Sequence, residues 1–303
     1  MKKYLFDSII EDLKSLTQQN GVNQMKINID FLCNKYSLNF SLIYSLVSYE
    51  FRREYPNKYS NTKANMQQIL HEWNDTATTR TLSILELAQK YNVCAYSLMR
   101  YIVNQTSPNK DTAKLWLKNP NHCANGRLAY EIMEINLYDL MDGVFSQKIS
   151  LNVGMAFEME IRDYLQQNQV SFLCEQQLRD RNYDVTPDFR LNLPLVLIRQ
   201  SNNNNNKDDD NNVRLFRINK MDQIKQESID NNDERIMLIT WIECKAMFAS
   251  IDCHIDYYER QYLSYINRFG NGIVLYKHGF IDDAIPAEFT RNLIIMQQMP
   301  AFA

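Results

Sequence analysis

The stretch IMLITWIECK, residues 236–245, decides the fold, because its apolar run predicts a buried central β-strand. Side chains two positions apart on a strand point to the same face, so Glu243 and Lys245 project together while Ile242 and Cys244 face the other way. Two charges in a buried strand are costly unless they are paired, hydrogen-bonded or bound to metal. A functional site would offset that cost. Alternatively, the charges lie at the exposed end of the strand or bridge to neighbours.

A second carboxylate, Asp188, stands at the start of another predicted strand. The proline before it favours an extended backbone, and the alternating residues after it predict a strand over 186–198. If this strand pairs antiparallel with the one predicted over 235–248, Asp188 reaches the Glu243 side. Two carboxylates and the backbone carbonyl of Cys244 would then offer the hard oxygen ligands that Mg²⁺ prefers.

Around these acids the chain resembles a known family. Asp188 with Glu243 and Lys245 resembles the PD-(D/E)XK nuclease superfamily, and the surrounding residues resemble one family within it, the codanin-interacting nuclease family with its Thr-Pro-Asp motif. The resemblance covers most of residues 150–280, whereas the N-terminal half is similar in layout more than in residues. The matching segments are Gly154-x-x-Phe157-Glu158, Gln177-Leu178-Arg179, Tyr183-Asp184-x-Thr186-Pro187-Asp188, Trp241-Ile242-Glu243-x-Lys245-Ala246-x-Phe248, His254 through Tyr258, and Gln261-x-x-Ser264-Tyr265-x-Asn267-Arg268-Phe269-Gly270-x-Gly272.

The resemblance implies a metal-dependent nuclease acting on nucleic acid, with DNA favoured. Asp188, Glu243 and the Cys244 carbonyl would hold one or two Mg²⁺ or Mn²⁺ ions, which activate a bound water. Lys245 would orient that water or stabilise charge on the phosphoryl oxygens. The family also implies a codanin-like scaffold protein as partner, linked to histone supply and chromatin, and a nuclear and cytoplasmic location.

A helix predicted over 152–168 carries a third acid. Glu158 shares a helical face with apolar residues, whereas Glu160 lines up with more polar positions. In the superfamily a glutamate of the first helix often adds a metal or water contact, so Glu158 is assigned that catalytic and metal-binding role, with Glu160 as the fallback. The alternative is a glutamate favoured only by the helix dipole.

Gln261 lies on the apolar face of a helix predicted over 255–269, where an amide must find a partner. Its pairing with Tyr265 resembles a Gln-x-x-x-Tyr element of exonuclease-like and resolvase-like members, which places catalytic residues or the nucleic-acid strand. A glutamine that only satisfies the core is the alternative. His254 is expected to be a hydrogen-bonding neighbour or a helix-start residue rather than a ligand. Arg268 is a candidate phosphate contact, or else a solvated cation at the helix C-terminus.

The N-terminal half reads as helical and contains an internal repeat. LCNKYSL, residues 32–38, echoes LAQKYNV, residues 87–93, and a short break and a second helix follow each copy. This pattern predicts two helix-turn-helix units. Such units serve DNA binding, structural packing or protein docking, and all three remain open from the sequence.

In a DNA-binding unit the second helix enters the major groove. The second copy would offer Tyr96, Arg100 and Gln105 on that helix, with Lys90 near the turn. This set is modest for phosphate contacts. Arg100 and Lys90 are nevertheless candidate nucleic-acid contacts.

The predicted fold is α/β, with an all-helical helix-turn-helix domain over 1–145 and a restriction-endonuclease-like mixed sheet flanked by helices over 146–303. A disordered insertion is expected at about 199–234, because runs of Asn and Asp cannot bury apolar area. Its segment VRLFRI, residues 213–218, is compatible with a local extension of the strands. The predicted order of the second domain is helix 152–168, strands 170–178, 186–198 and 235–248, helix 255–269 and strand 272–280.

Composition limits the classes of protein to which this chain can belong. The chain has 303 residues, of which 45% are hydrophobic and 23% charged, enough for two globular cores. Early acidic residues argue against a signal peptide, and the lack of a long apolar run predicts a soluble, unsecreted chain without a membrane partner. Six cysteines without paired spacing exclude a zinc ribbon or disulfide framework. A net charge of −3 does not itself indicate nucleic-acid binding.

Three functions fit these observations. The first is a metal-dependent nuclease with an appended helical domain. The second is a nuclease-fold protein with weak or no catalysis that mainly binds a partner. The third is a helix-turn-helix regulator with an inert C-terminal domain, which the retained acids and lysine disfavour.

Overall fold

A computed structural model describes residues 1–20, 25–74, 81–139, 141, 143–199, 213–218, 235–283 and 285–302. The chain divides into two compact units, one over Ser8–Leu151 and one formed by Met1–Asp7 together with Asn152–Ala303. Helices and a mixed six-stranded sheet make it an α/β protein, as predicted. None of the described helices is both long enough and apolar enough to cross a bilayer.

The first unit is built from helices, and no strand occurs among its described residues. Each of the two copies of the repeat spans a helix, a tight turn and a following helix. The helices are α1 (Lys3–Asn20), α2 (Met25–Tyr36), α3 (Phe40–Asn74), α4 (Ile84–Lys90), α5 (Ala95–Thr106), α6 (Lys110–Lys118) and α7 (Gly126–Tyr138).

The two turns of the repeat share their backbone geometry. Ser37 after α2 and Asn92 after α4 occupy equivalent positions and both have a left-handed φ, of 54° and 48°. In each copy the next amide donates to the carbonyl five residues earlier, at 3.2 and 2.9 Å, which is the helix-ending bond of a Schellman motif. The sequence echo therefore corresponds to a repeated local structure.

The repeat extends to a carboxylate on the preceding helix. Asp12 of α1 accepts hydrogen bonds from the ammonium of Lys35 and from the Tyr36 hydroxyl, the latter at 2.6 Å. In the second copy Glu72 of α3 accepts from Lys90 at 2.7 Å and from the hydroxyl of the next tyrosine at 2.6 Å. Each lysine–tyrosine pair thus ties its helix to the preceding one.

The second unit contains the sheet, with strands in the order β1-β2-β4-β5-β6 and β3 alongside β2. Pairings of β2 with β1, β3 and β4 are antiparallel, whereas β4, β5 and β6 run parallel. The strands are β1 (Phe172–Cys174), β2 (Phe189–Arg199), β3 (Val213–Arg217), β4 (Arg235–Lys245), β5 (Gly272–Tyr276) and β6 (Leu293–Met296). The helices are α8 (Val144–Gln167), α9 (Glu175–Asp180), α10 (Ile251–Tyr257) and α11 (Leu263–Phe269), the last two joined by a π-helical turn (Tyr258–Tyr262).

Antiparallel pairing of the two central strands is confirmed, but the strand predicted over 170–178 is wrong after Cys174. There the chain turns into α9, and the Gln177 side chain accepts a hydrogen bond from the Cys174 amide at 3.0 Å, capping the helix.

Within the predicted insertion, β3 is ordered against β2, as its strand pattern allowed. Residues 200–212 and 219–234, also assigned to that insertion, lie outside the described residues.

Strand β4 alternates between two cores, which fixes the direction of its charged residues. Ile242 and Cys244 pack in the core that contains Ile161 of α8, whereas Trp241 packs in the core that contains Tyr262. Because Glu243 and Lys245 share the parity of Trp241, they lie on the α10–α11 side. That is the side from which Gln261 can reach them.

Candidate active site

The two acids meet where β2 and β4 pair. Phe189 lies opposite Ile242 in the register, so the residue before β2 falls next to the end of β4. Asp188 accepts a hydrogen bond from the backbone amide of Cys244 at 2.7 Å, and its own amide donates to Glu243 Oε2 at 3.3 Å. Each acid is therefore anchored to the other's strand.

Glu243 is also the hub of a side-chain network. Its Oε1 accepts from Lys245 Nζ at 2.6 Å and from Gln261 Nε2 at 2.8 Å, while Gln261 Oε1 accepts from Lys245 at 3.0 Å. Gln261 also donates to the hydroxyl of Tyr265 at 2.7 Å, and that hydroxyl donates to the carbonyl of Thr186 at 3.2 Å. The network thus closes back onto the Thr-Pro-Asp segment.

A π-helical turn supplies the glutamine. Gln261 lies within Tyr258–Tyr262, between α10 and α11. Such turns are rare and occur often at functional sites. Tyr257, just before the turn, places its ring 4.7 Å from Lys245 Nζ in a cation–π contact. The ammonium is thereby held by a carboxylate, an amide and an aromatic face.

Burial disfavours the charged forms of the two acids in the site. Glu243 is only 3% exposed, and burial raises the pKa of its carboxyl even though Lys245 opposes the rise. Burial, followed by the charge of Glu243, raises the pKa of Asp188 to about 8. Burial alone would lower the pKa of Lys245, but the charge of Glu243, the hydrogen bond to it and weaker contributions from Tyr257 and Asp188 together outweigh burial, and the pKa rises. The site thus holds two crowded acids and a firmly protonated lysine.

The third predicted acid lies near this pair without joining it. Glu158 is half-buried on α8, and its charge contributes to the raised pKa of Asp188. Burial, and then the charge of Glu175, raises the pKa of Glu158 itself. The fallback Glu160 is exposed and forms an ion pair with Lys277 at 3.3 Å.

Glu175 was missed in the sequence. It begins α9, and its backbone amide donates to the carbonyl of Asp188 at 3.1 Å, which places it beside the site. Assigning a strand through residue 178 concealed it, because the start of a helix there was not foreseen. The capping glutamine three positions after Cys174 is the signal that would have revealed it.

The donor set suits a hard divalent cation. Among the described residues no three His, Cys, Asp or Glu side chains form a group that could hold a metal ion. Mg²⁺ is typically bound by one or two carboxylates and completes its shell with water and substrate oxygens. Asp188 and Glu243, with the Cys244 carbonyl, fit that requirement, and a cation would relieve the repulsion between the two acids. A metal contact from Glu158 stays a prediction.

The residues predicted to contact nucleic acid each contact another side chain of their own unit. Arg268 is exposed and pairs with Asp184 at 3.5 Å. Arg100 is exposed on α5, over the ring of Tyr96 at 6.0 Å. Tyr96 itself is buried, so its assignment to the exposed face was wrong. Lys90 is engaged with Glu72 in the repeat.

His254 is a buried core residue of the α10 side. Its Nδ1 lies 3.0 Å from the Tyr276 hydroxyl, which in turn lies 3.0 Å from the hydroxyl of Tyr262. Burial lowers the pKa of His254 to about 4. It is thus a hydrogen-bonding residue behind the π-helical turn, as expected.

The lowered pKa of His254 predicts a pH-dependent stability. Above pH about 6.5 the imidazole is neutral in both states; below it the unfolded chain takes up a proton first, so stability falls as the pH drops towards about 4. Between pH 7 and 5 this loss should reach about 2 kcal/mol in the free energy of unfolding. In urea titrations, His254→Gln should remove that part of the decrease. An equal decrease in both proteins would contradict the prediction.

Fold and site together define an α/β protein in which two acids and a lysine meet at the ends of two central strands. The family model described as "Protein of unknown function TPD sequence-motif" matches residues 124–204 and 208–299. The chain belongs to this family, which confirms the resemblance to the codanin-interacting nuclease family seen in its sequence. No solved structure matches the chain significantly.

Curated relatives carry the name CDAN1-interacting nuclease 1. The Mus musculus protein is 28% identical over 224 residues, which cover 72% of this chain and 66% of the relative. The Danio rerio protein is 26% identical over 273 residues, covering 86% and 78%. The Homo sapiens protein is 28% identical over 207 residues, covering 66% and 60%. The match thus spans less than two thirds of the length of the mouse and human relatives.

Proposed function

We propose that this protein is a metal-dependent nuclease of the PD-(D/E)XK type with a restriction-endonuclease-like core. The observation that carries the proposal is the hub at Glu243, which holds Lys245 and Gln261 while its neighbour Asp188 is fixed to the same strand. A purely structural network would not need two crowded acids, because replacing buried charges by apolar groups is often neutral or stabilising. The relatives named as nucleases support the same function.

The residues have separate roles in this proposal. Asp188, Glu243 and the Cys244 carbonyl hold Mg²⁺ or Mn²⁺, which when bound supplies Lewis acidity at the phosphoryl group and an activated water. Lys245 acts as a fixed cation towards the phosphoryl oxygens rather than as a base, because its raised pKa keeps it protonated. Gln261 positions the lysine through its amide oxygen, and Glu158 completes the acidic side of the site.

We propose that the helical unit contains two helix-turn-helix-like pairs of helices. It serves to dock a protein rather than to recognise DNA. Lys90, the cation near the second turn, is already ion-paired with Glu72. One face of α7 exposes Tyr130, Met133 and Leu137 to 60%, 47% and 57%, an apolar stripe at helical spacing. A codanin-like scaffold is the proposed occupant, consistent with the names of the relatives. A nuclear and cytoplasmic location is part of the same proposal.

A cleavage panel tests the nuclease function. Purified full-length protein is incubated with single-stranded, duplex, flap and junction DNA, and with RNA of the same sequences, while Mg²⁺ or Mn²⁺ is titrated. Cleavage should require the metal and stop on chelation with EDTA, because the carboxylates alone cannot activate a water. Asp188→Ala protein is the blank for contaminating nucleases. Equal product from both proteins would refute the nuclease and favour a protein that mainly binds its partner.

A further inference from the structure

Arg162 carries a buried N–H donor that no acceptor among the described residues satisfies. It lies on α8 one turn after Glu158, so the two side chains occupy the same flank of the helix. Among the described residues it has no hydrogen-bonded or ion-paired partner, and its Nε is buried without an acceptor. A guanidinium carries five N–H donors, and buried donors in proteins are nearly always satisfied. An unused arginine of this kind points to a ligand.

Three other cations of the same unit already have carboxylate partners. Lys245 is paired with Glu243, Arg179 with Glu175, and Arg268 is 3.5 Å from Asp184. Their positive charge is therefore already used within the protein. Arg162, half-buried and unpaired, retains its capacity to bind an anion.

The position of Arg162 relates it to the candidate active site. Its charge lowers the pKa of Glu158, which would otherwise rise further with burial and with Glu175. Ile161, the residue before Arg162, packs in the same core as Phe189 and Ile242, which adjoin Asp188 and Glu243 in the chain. This part of α8 therefore lies beside the strand ends that carry the two acids, and the charge of Glu158 contributes to the raised pKa of Asp188. A substrate phosphate entering so acidic a site meets repulsion, which a guanidinium can offset with two parallel hydrogen bonds to one phosphate.

We propose that Arg162 binds a backbone phosphate of the nucleic-acid strand on the α8 side of the candidate active site. This inference rests on the proposed nuclease function and names a binding residue that the sequence motifs did not indicate. The contact is to the phosphodiester, so it is independent of base sequence.

Binding without cleavage tests it directly. Full-length protein in EDTA is titrated against fluorescein-labelled DNA of about 20 nucleotides, single-stranded or duplex, at several salt concentrations, with fluorescence anisotropy as the readout. Arg162→Gln should weaken binding about 10-fold and lower the salt slope by about 1. Arg162→Lys should keep most of the salt dependence of binding, because the positive charge remains. It should lose affinity, because lysine cannot make two parallel hydrogen bonds to one phosphate. Melting curves of each variant verify the fold.

Two matched variants separate this role from others. Arg260→Gln removes an equal charge from an exposed arginine already paired with Asp256 at 2.8 Å, and should change affinity less than about 2-fold. Glu158→Gln should tighten DNA binding in EDTA by removing a negative charge beside Arg162. In the Glu158→Gln background, Arg162→Gln should still weaken binding about 10-fold, whereas this loss would disappear if Arg162 served only to neutralise Glu158.

Unchanged affinity and salt slope in Arg162→Gln would overturn the inference, as would failure of the wild-type protein to bind any of the probes. Cleavage activity is measured separately with Mg²⁺. A protein that binds through Arg162 but never cleaves would refute the nuclease proposal alone. A protein that cleaves, with an Arg162→Gln variant of unchanged affinity, would refute this inference alone.

Discussion

Asp188→Asn should lower the cleavage rate by about 10³-fold or more while the protein remains folded. The amide oxygen can still accept the hydrogen bond from the Cys244 amide, but the charge that would hold a metal is gone. Losing a group on which the chemistry depends typically costs this much or more. Single-turnover cleavage with saturating Mg²⁺ gives the rate, and thermal melting gives the stability. Melting should not fall, because the substitution removes repulsion with Glu243.

Asp184→Asn is the matched control for that substitution. It changes the same chemical group four residues upstream, where the side chain is exposed and its ion pair with Arg268 is long, at 3.5 Å. Its rate should stay within about 2-fold of wild type, because an exposed pair contributes little. If Asp188→Asn and Asp184→Asn cleaved equally fast, Asp188 would not be part of the chemistry. Lys245→Gln should resemble Asp188→Asn in rate, because the ammonium is the cation fixed on Glu243.

Gly272→Ala should lower the free energy of unfolding by at least about 3 kcal/mol. Gly272 lies directly opposite Trp241 in the parallel pairing of β4 and β5. A Cβ at this position would lie 2.1 Å from Cε2 of the indole ring, and the indole is fully buried. The ring cannot move away easily, because its Nε1 donates to the carbonyl of Gly270 at 2.8 Å. Urea unfolding monitored by tryptophan fluorescence measures the loss.

Gly154→Ala is the control for this steric effect. Gly154 lies within α8, and nothing lies within 4 Å of a Cβ added there. Alanine should therefore raise the unfolding free energy by roughly 0.5–1 kcal/mol through its better helix propensity. Similar stabilities for the two variants would contradict the packing argument. Because Trp241 precedes Glu243 by two residues on β4, Gly272→Ala should also reduce cleavage.

Local sequence patterns predicted the secondary-structure elements that have a strong hydrophobic periodicity. The apolar run of β4 and the alternation after Asp188 predicted two central strands, and their antiparallel pairing is observed. Strand β1 was overextended, since the residues that follow Cys174 form α9. Strand β6, Leu293–Met296, was not predicted. It is four residues long, and periodicity alone does not distinguish so short an apolar run from other buried segments.

The sequence did not show which lysines and arginines are paired with carboxylates. Lys90 was a candidate nucleic-acid contact because it lies near the turn of the second repeat copy, yet it is bound to Glu72, 18 residues earlier. Arg162 drew no attention in the sequence, yet its buried Nε has no acceptor among the residues that the structure describes. Whether a charge is free or neutralised depends on residues far apart in the chain, which spacing does not reveal.

By itself, the sequence determined the class of fold and put two acids and a lysine on or next to central strands, because buried strands and their periodicity are encoded by neighbouring residues. The family followed from the motif residues around Asp188 and Glu243. Tertiary structure alone decided that the Gln261 amide bridges Glu243, Lys245 and Tyr265, and that Tyr257 covers the ammonium. It also placed Glu175 beside Asp188. These contacts join side chains from separate elements, and their geometry exists only once the sheet and the π-helical turn have packed together.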